Sequence, residues 1–177
     1  MIAGWLKARK SKTAAYLLYH TLVTQARNSV FYTELGVDDT VDGRFDMILL
    51  HIFIVMHRLR GEGGATEGLA RALQEVMIDD MDRNLREMGV GDMSVGKHVK
   101  DMGTAWFGRD KAYGEALQSD DPVAALEDVV HRNVFRGDTR KSAEPIANYI
   151  VRSVDVLAHS PVQALAKGNI IFPAVVK

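Results

Sequence analysis

Residues 91–98 read GDMSVGKH, and whether they form a phosphate-binding loop decides between an α/β chain and an all-helical one. Gly91, Gly96 and Lys97 stand at the G-x-x-x-x-G-K spacing, but His98 occupies the eighth position, where a Ser or Thr hydroxyl would hold magnesium. Such a loop also follows a buried strand. What precedes it here is Leu69, Leu73, Val76, Met77, Met81, Leu85 and Met88, an apolar stripe of helical period over about 66–88, capped by Thr66 and ended by Gly89. Val95, Val99, Met102, Trp106, Tyr113 and Leu117 continue as a second helical stripe beyond it. The phosphate-loop reading fails in that context. The stretch is read instead as a turn, with Gly89 and Gly91 supplying positive φ and Asp92 or Ser94 capping the next helix.

Working outward, MILLHIFIVM at 47–56 is the longest apolar run. It is about half the length needed to cross a bilayer and is interrupted by His51, so it is read as the middle of a core helix over about 40–60. That helix starts at Asp39 or Thr40 and stops before Gly61, Gly63 and Gly64, a loop expected to be flexible. Ala14, Leu17, Leu18, Leu22 and Ala26 mark an amphipathic helix nearer the N-terminus. All four prolines fall at Pro122 or later, with Pro122 after Asp121 and Pro161 after Ser160, as at helix starts. The expected fold is therefore all-α, a single compact domain of six to eight helices over 13–177. Residues 1–12 form a basic N-terminal segment, flexible or at a membrane surface, where Trp5, Lys7, Arg9 and Lys10 combine an interfacial aromatic with positive charge.

Composition excludes several functions. A net charge of −1 over 177 residues argues against bulk electrostatic capture of nucleic acid, and the absence of cysteine removes disulfides and thiolate zinc sites. DDMDR at 79–83, with its Asp79, Asp80 and Asp82, together with Glu75 and Glu87 could supply hard-metal ligands, but Asp79–Arg83, Asp82–Arg86 and Arg83–Glu87 are all i,i+4 pairs, which reads as ion-pair lacing on a solvated face. His51 and His57 are too far round one helix to share a ligand, and His51 is expected to be a hydrogen-bonded core histidine. No nucleophile motif such as G-x-S-x-G is present. The chain is expected to be neither an enzyme nor a cofactor carrier. A DNA-reading helix-turn-helix, with Lys97, His98 and Lys100 on the second helix, is the alternative from a different class.

Two blocks, FYTELGVDDTVDGRFDMILLHIFIVMHRL at 31–59 and MDRNLREMGVGDMSVGKHVKDM at 81–102, resemble the ubiquinol-cytochrome c chaperone family. QAR at 25–27, FGRDKAY at 107–113 and RNVFRG at 132–137 support the likeness. The resemblance implies an all-helical, non-enzymatic assembly chaperone for the respiratory cytochrome bc complex (complex III), binding newly made cytochrome b or another subunit. It also implies a cytoplasmic place, and a small assembly partner or the ribosome as further partners, while the basic segment 1–12 is what adds the expectation of peripheral contact at the inner face of the membrane. The binding surface it implies falls on Tyr32, Asp42, Arg44, Asp46, Arg83, Arg86 and Lys97.

Overall fold

The computed structural model describes residues 2–60, 62 and 66–176, with side chains described from Ser11 onward. Among them are eight helices and no strand: α1 (Ile2–Ala26), α2 (Ser29–Thr33), α3 (Val41–Arg60), α4 (Glu67–Glu87), α5 (Asp92–Leu117), α6 (Pro122–Asn133), α7 (Glu144–Ala158) and α8 (Val162–Leu165). α1 runs through position 12 without a break. The side chains of Trp5, Lys7, Arg9 and Lys10 lie outside the described residues, as do Gly61, Gly63 and Gly64 of the expected flexible loop.

The apolar run makes α3 the axis of the molecule. Met47, Leu49, Leu50, Ile52, Phe53, Ile54 and Val55 are all fully buried, so the helix is enclosed on every side rather than along one stripe. α1, α4, α5 and α7 surround it. Its start is set by Thr40, whose Oγ1 accepts the Gly43 N–H at 3.1 Å. Gly43 is required there, because a Cβ would meet the Asp38 carbonyl oxygen at 2.0 Å. Its end is held by Thr66, whose hydroxyl donates to the Leu59 carbonyl at 2.7 Å. Thr66 does occupy the N-cap position of α4, yet it makes no side-chain cap bond to that helix. Its hydroxyl serves the exposed carbonyl end of α3 instead.

Between α4 and α5 the chain turns as a helix connection, with no strand before it. Gly89 adopts φ +83°, and the Val90 N–H returns to the Leu85 carbonyl at 3.0 Å, closing α4. Gly91 differs from expectation: at φ −63° and ψ 146° it is an extended N-cap, so only the first glycine of the pair needs left-handed backbone. Asp92 is the first helical residue rather than the cap, and its carboxylate turns back to Arg86. The Asp121 cap does form, accepting the Ala124 N–H at 3.1 Å with Pro122 next in line.

One polar chain crosses the core. His51 Nδ1 lies 2.7 Å from the Met47 carbonyl, which can only accept, so Nδ1 carries the proton and Nε2 is the acceptor. The Tyr149 hydroxyl, 2.8 Å away, must then donate to Nε2, and Gln25 Nε2 in turn donates to that hydroxyl at 3.1 Å. α1, α7 and α3 are thereby joined by bonds of one direction. Burial holds His51 neutral, its pKa lowered to about 4, and pushes the Tyr149 phenol up to about 12. The core histidine expected from the apolar run is found, with two partners.

Beyond α8 the chain becomes an extended strap. Gly168, at φ +73°, passes so close to α1 that a Cβ would stand 3.0 Å from the Leu17 backbone, and its carbonyl accepts the Thr21 hydroxyl at 2.9 Å. Phe172 then sets its ring edge against His51, with centroids 5.2 Å apart.

Candidate partner-binding surfaces

α4 and α5 are long neighbours joined by a tight turn, and their outer sides leave a groove of about 560 Å³. Ile78, Val99 and Gly96 give it apolar walls and an open stretch of backbone, since a Cβ on Gly96 would meet nothing within 4 Å. Asp79, Asp82, Arg83 and Arg86 line it with charge. Arg86 is held by Asp82 at 2.7 Å and by Asp92, and the guanidinium keeps the Asp82 carboxyl below its usual range. Of the three expected i,i+4 pairs, Asp82–Arg86 forms, whereas Asp79 meets Lys12 of α1 at 3.7 Å. Arg83 is exposed and makes no ion pair with a described residue. It also borders a second, smaller hollow of about 280 Å³ between α1 and α4, where Tyr19 donates to Asp80 at 2.8 Å. Burial first, then the Asp80 charge, pushes the Tyr19 phenol up.

The residues carried by the resemblance divide into two groups. Arg83 and Arg86 line the α4–α5 groove, whereas Lys97 is exposed on α5 outside that lining. Tyr32, Asp42, Arg44 and Asp46 lie instead on α2 and the first turns of α3. There Tyr32 donates to the Ala26 carbonyl at 2.7 Å, and exposed Arg44 pairs with Asp39 at 2.6 Å. Asp42 is exposed, 3.4 Å from Arg136.

Asp46 is different, being only 2% exposed. Its Oδ1 accepts from Arg109 of α5 at 2.7 Å, and its Oδ2 lies 3.1 Å from Arg136, just past α6. Burial pushes its carboxyl pKa up, against the pull of Arg109 and then Arg136. The residue faces the protein's own interior, beyond a partner's reach. Arg136 is also the one described non-glycine residue with positive φ, at 52°, so the backbone is strained where this guanidinium enters. Arg109 and Arg136 belong to FGRDKAY and RNVFRG, and Asp46 to the longest block, so one ion cluster ties together three separate sequence blocks. Sequence reading did not single out Arg109 or Arg136. The available signal was an acid directly before an apolar run, on the same helical face as Leu50 and Phe53.

What these surfaces can do is bind. The groove pairs exposed apolar side chains with charges of both signs, a lining suited to an amphipathic helical segment. Among the described residues there is no group of three His, Cys, Asp or Glu that could hold a metal ion, and no helix is long and apolar enough to cross a membrane.

Comparison with known proteins follows the same lines. The sequence model of a family described as ubiquinol-cytochrome C chaperone matches residues 33–172. The crystal structure of the Cbp3 homolog from Brucella abortus superposes with a TM-score of 0.84 at 34% identity, covering 99% of this chain and 98% of that one. Ubiquinol-cytochrome-c reductase complex assembly factor 1 of Xenopus laevis is 23% identical over 150 residues, 84% of this chain and 74% of that protein. Its namesake in Mus musculus is 27% identical over 112 residues, 63% of this chain but 38% of the mouse protein. None of these likenesses points to a helix-turn-helix regulator.

Proposed function

This chain belongs to the ubiquinol-cytochrome c chaperone family, and we propose that it is an assembly chaperone for the respiratory cytochrome bc complex, binding newly made cytochrome b without chemistry. The family match over 33–172 carries the reading, and the likeness to a solved relative over nearly the whole chain supports it. The α4–α5 groove is the proposed client site, with Arg83 and Arg86 as its charged contacts, and Lys97, outside the groove, is a further proposed contact. Half-buried Tyr32 with exposed Asp42 and Arg44 forms a second proposed contact region, for another complex III subunit, a small assembly partner or the ribosome. Asp46 acts within the fold by fixing that region to α5. The proposed location is cytoplasmic, with the basic segment 1–12, including Trp5, Lys7, Arg9 and Lys10, touching the inner face of the membrane.

The mechanism is temporary occupation. A helical client segment lays its apolar side against Ile78 and Val99, while the charged rim holds its polar side until partner subunits replace the chaperone. The test is to pull the tagged chain from gently solubilised membranes of the source cell and to measure complex III accumulation. The expected result is co-purification of cytochrome b by the parent chain, and reduced capture and reduced complex III with Arg86→Glu at unchanged melting temperature. Normal complex III in cells lacking the chain, with no cytochrome b captured, would overturn the proposal.

A further inference from the structure

α5 turns Val95, Trp106, Tyr113 and Ala116 inward. On its opposite side Met93, Lys97, Lys100, Thr104, Phe107 and Lys111 recur at alternating steps of four and three, which places them in one line about 27 Å long. All six are exposed, Met93 completely and Phe107 at 66%. No acid interrupts the line. Lys97 and Lys100 make no ion pair with any described residue, while Lys111 reaches Glu115 at 3.7 Å. In a chain of net charge −1, three lysines in file with two protruding apolar side chains are a local arrangement rather than a reflection of composition.

We propose that this outer face of α5 docks on an anionic phospholipid surface. The face is convex, and its apolar side chains project outward. A deformable headgroup layer accepts such a shape, whereas a protein partner would need a matching hollow for each projection. Phe107 and Met93 enter the acyl boundary, and the lysine stems lie along the interface with their ammonium groups among lipid phosphates. Gly96 and Val99 of the α4–α5 groove flank this line, so docking brings the groove alongside the bilayer. The proposal rests on α5 alone and stands or falls separately from the identity of the client.

The test is co-sedimentation of the full chain with phosphatidylcholine vesicles, with and without a minor fraction of phosphatidylglycerol, at low and high salt. The parent is expected to sediment with the anionic vesicles and to be released by salt. Lys97→Glu with Lys100→Glu, and separately Phe107→Ser, should each lower the bound fraction more than about tenfold without lowering the melting temperature. If the charge-reversed pair melts early, Lys97→Gln with Lys100→Gln replaces it. Because the basic N-terminal segment can bind the same vesicles, the comparison is repeated with Lys7→Glu and Lys10→Glu present, and the α5 changes must still act. Equal binding by parent and α5 variants overturns the proposal. Loss of an acidic protein partner in those variants, with vesicle binding unaltered, also overturns it and assigns the face to protein.

Discussion

α3 and α5 are both long helices rich in apolar residues, yet one is enclosed on every side and the other is held along one side only. In α3 almost every side chain from Met47 to Val55 is fully buried. In α5, the longer of the two at 26 residues, Val95, Trp106, Tyr113 and Ala116 carry the packing. Its four glycines beyond the turn, Gly96, Gly103, Gly108 and Gly114, would each place a Cβ in open space. Helix interiors rich in glycine are destabilised relative to alanine. A buried axis can be read as the part that makes the fold, and a half-held helix as the part left available to other molecules.

The contrast can be broken first at its buried pole. Changing Phe53, fully buried with its ring tilted against Tyr113 at 5.2 Å, to Ala should cost about 3–5 kcal/mol of stability, measured by chemical denaturation. A loss no larger than that of a surface change would contradict the enclosed axis. A second strain on the same helix comes from acid. His51 is held neutral in the fold at about 4 against an ordinary 6.5, so the unfolded chain binds more protons between those values and stability must fall as pH drops through that window. The loss attributable to this residue reaches about 3 kcal/mol, and it should be present in the parent curve and absent from that of His51→Gln. Identical slopes for the two chains would reject it.

Where the two helices meet, Asp46→Ala leaves the Arg109 guanidinium, itself 17% exposed, without its carboxylate. A cost of about 2–3 kcal/mol is expected, less than for a fully enclosed pair. Asp42→Ala at the exposed end of the same cluster should cost far less, and equal losses would show that burial is not what separates them. The smallest effect lies on the flank of α5. Gly103→Ala should raise stability by about 0.5–1 kcal/mol, because the added methyl meets nothing within 4 Å. A loss instead would mean that this side of α5 is already packed.

Periodicity revealed the helices because an amphipathic stripe is a local property. The continuous apolar run around His51 identified the axis for the same reason, and the GDMSVGKH turn was legible because the stripes on both sides of it were. The Asp46 cluster was not legible. A carboxylate shows its charge in sequence but not its burial, and its partner Arg109 lies 63 positions away. Of the candidate groove, Arg83 and Arg86 were named through the family resemblance, whereas Val99 looked like an ordinary member of an apolar stripe and Ile78 was not singled out. In the structure Ile78 is 42% exposed and Val99 half-buried, both lining the α4–α5 groove. The strap past Gly168 escaped notice too, since an extended segment without regular pairing has no period to read.

That strap bears on how the chain is made. His51 lies near the middle of α3, in the first third of the chain, but its hydrogen-bond partner Tyr149 is 98 positions later, and the Phe172 ring that closes against it later still. A ribosome delivers residues in order, at about 5–20 per second, so the axis emerges many seconds before its cover. During that interval an apolar helix waits uncovered with its histidine open to water, as a segment of any newly made protein does before its partners arrive. A chaperone of this architecture is thus, for the length of its own synthesis, a client.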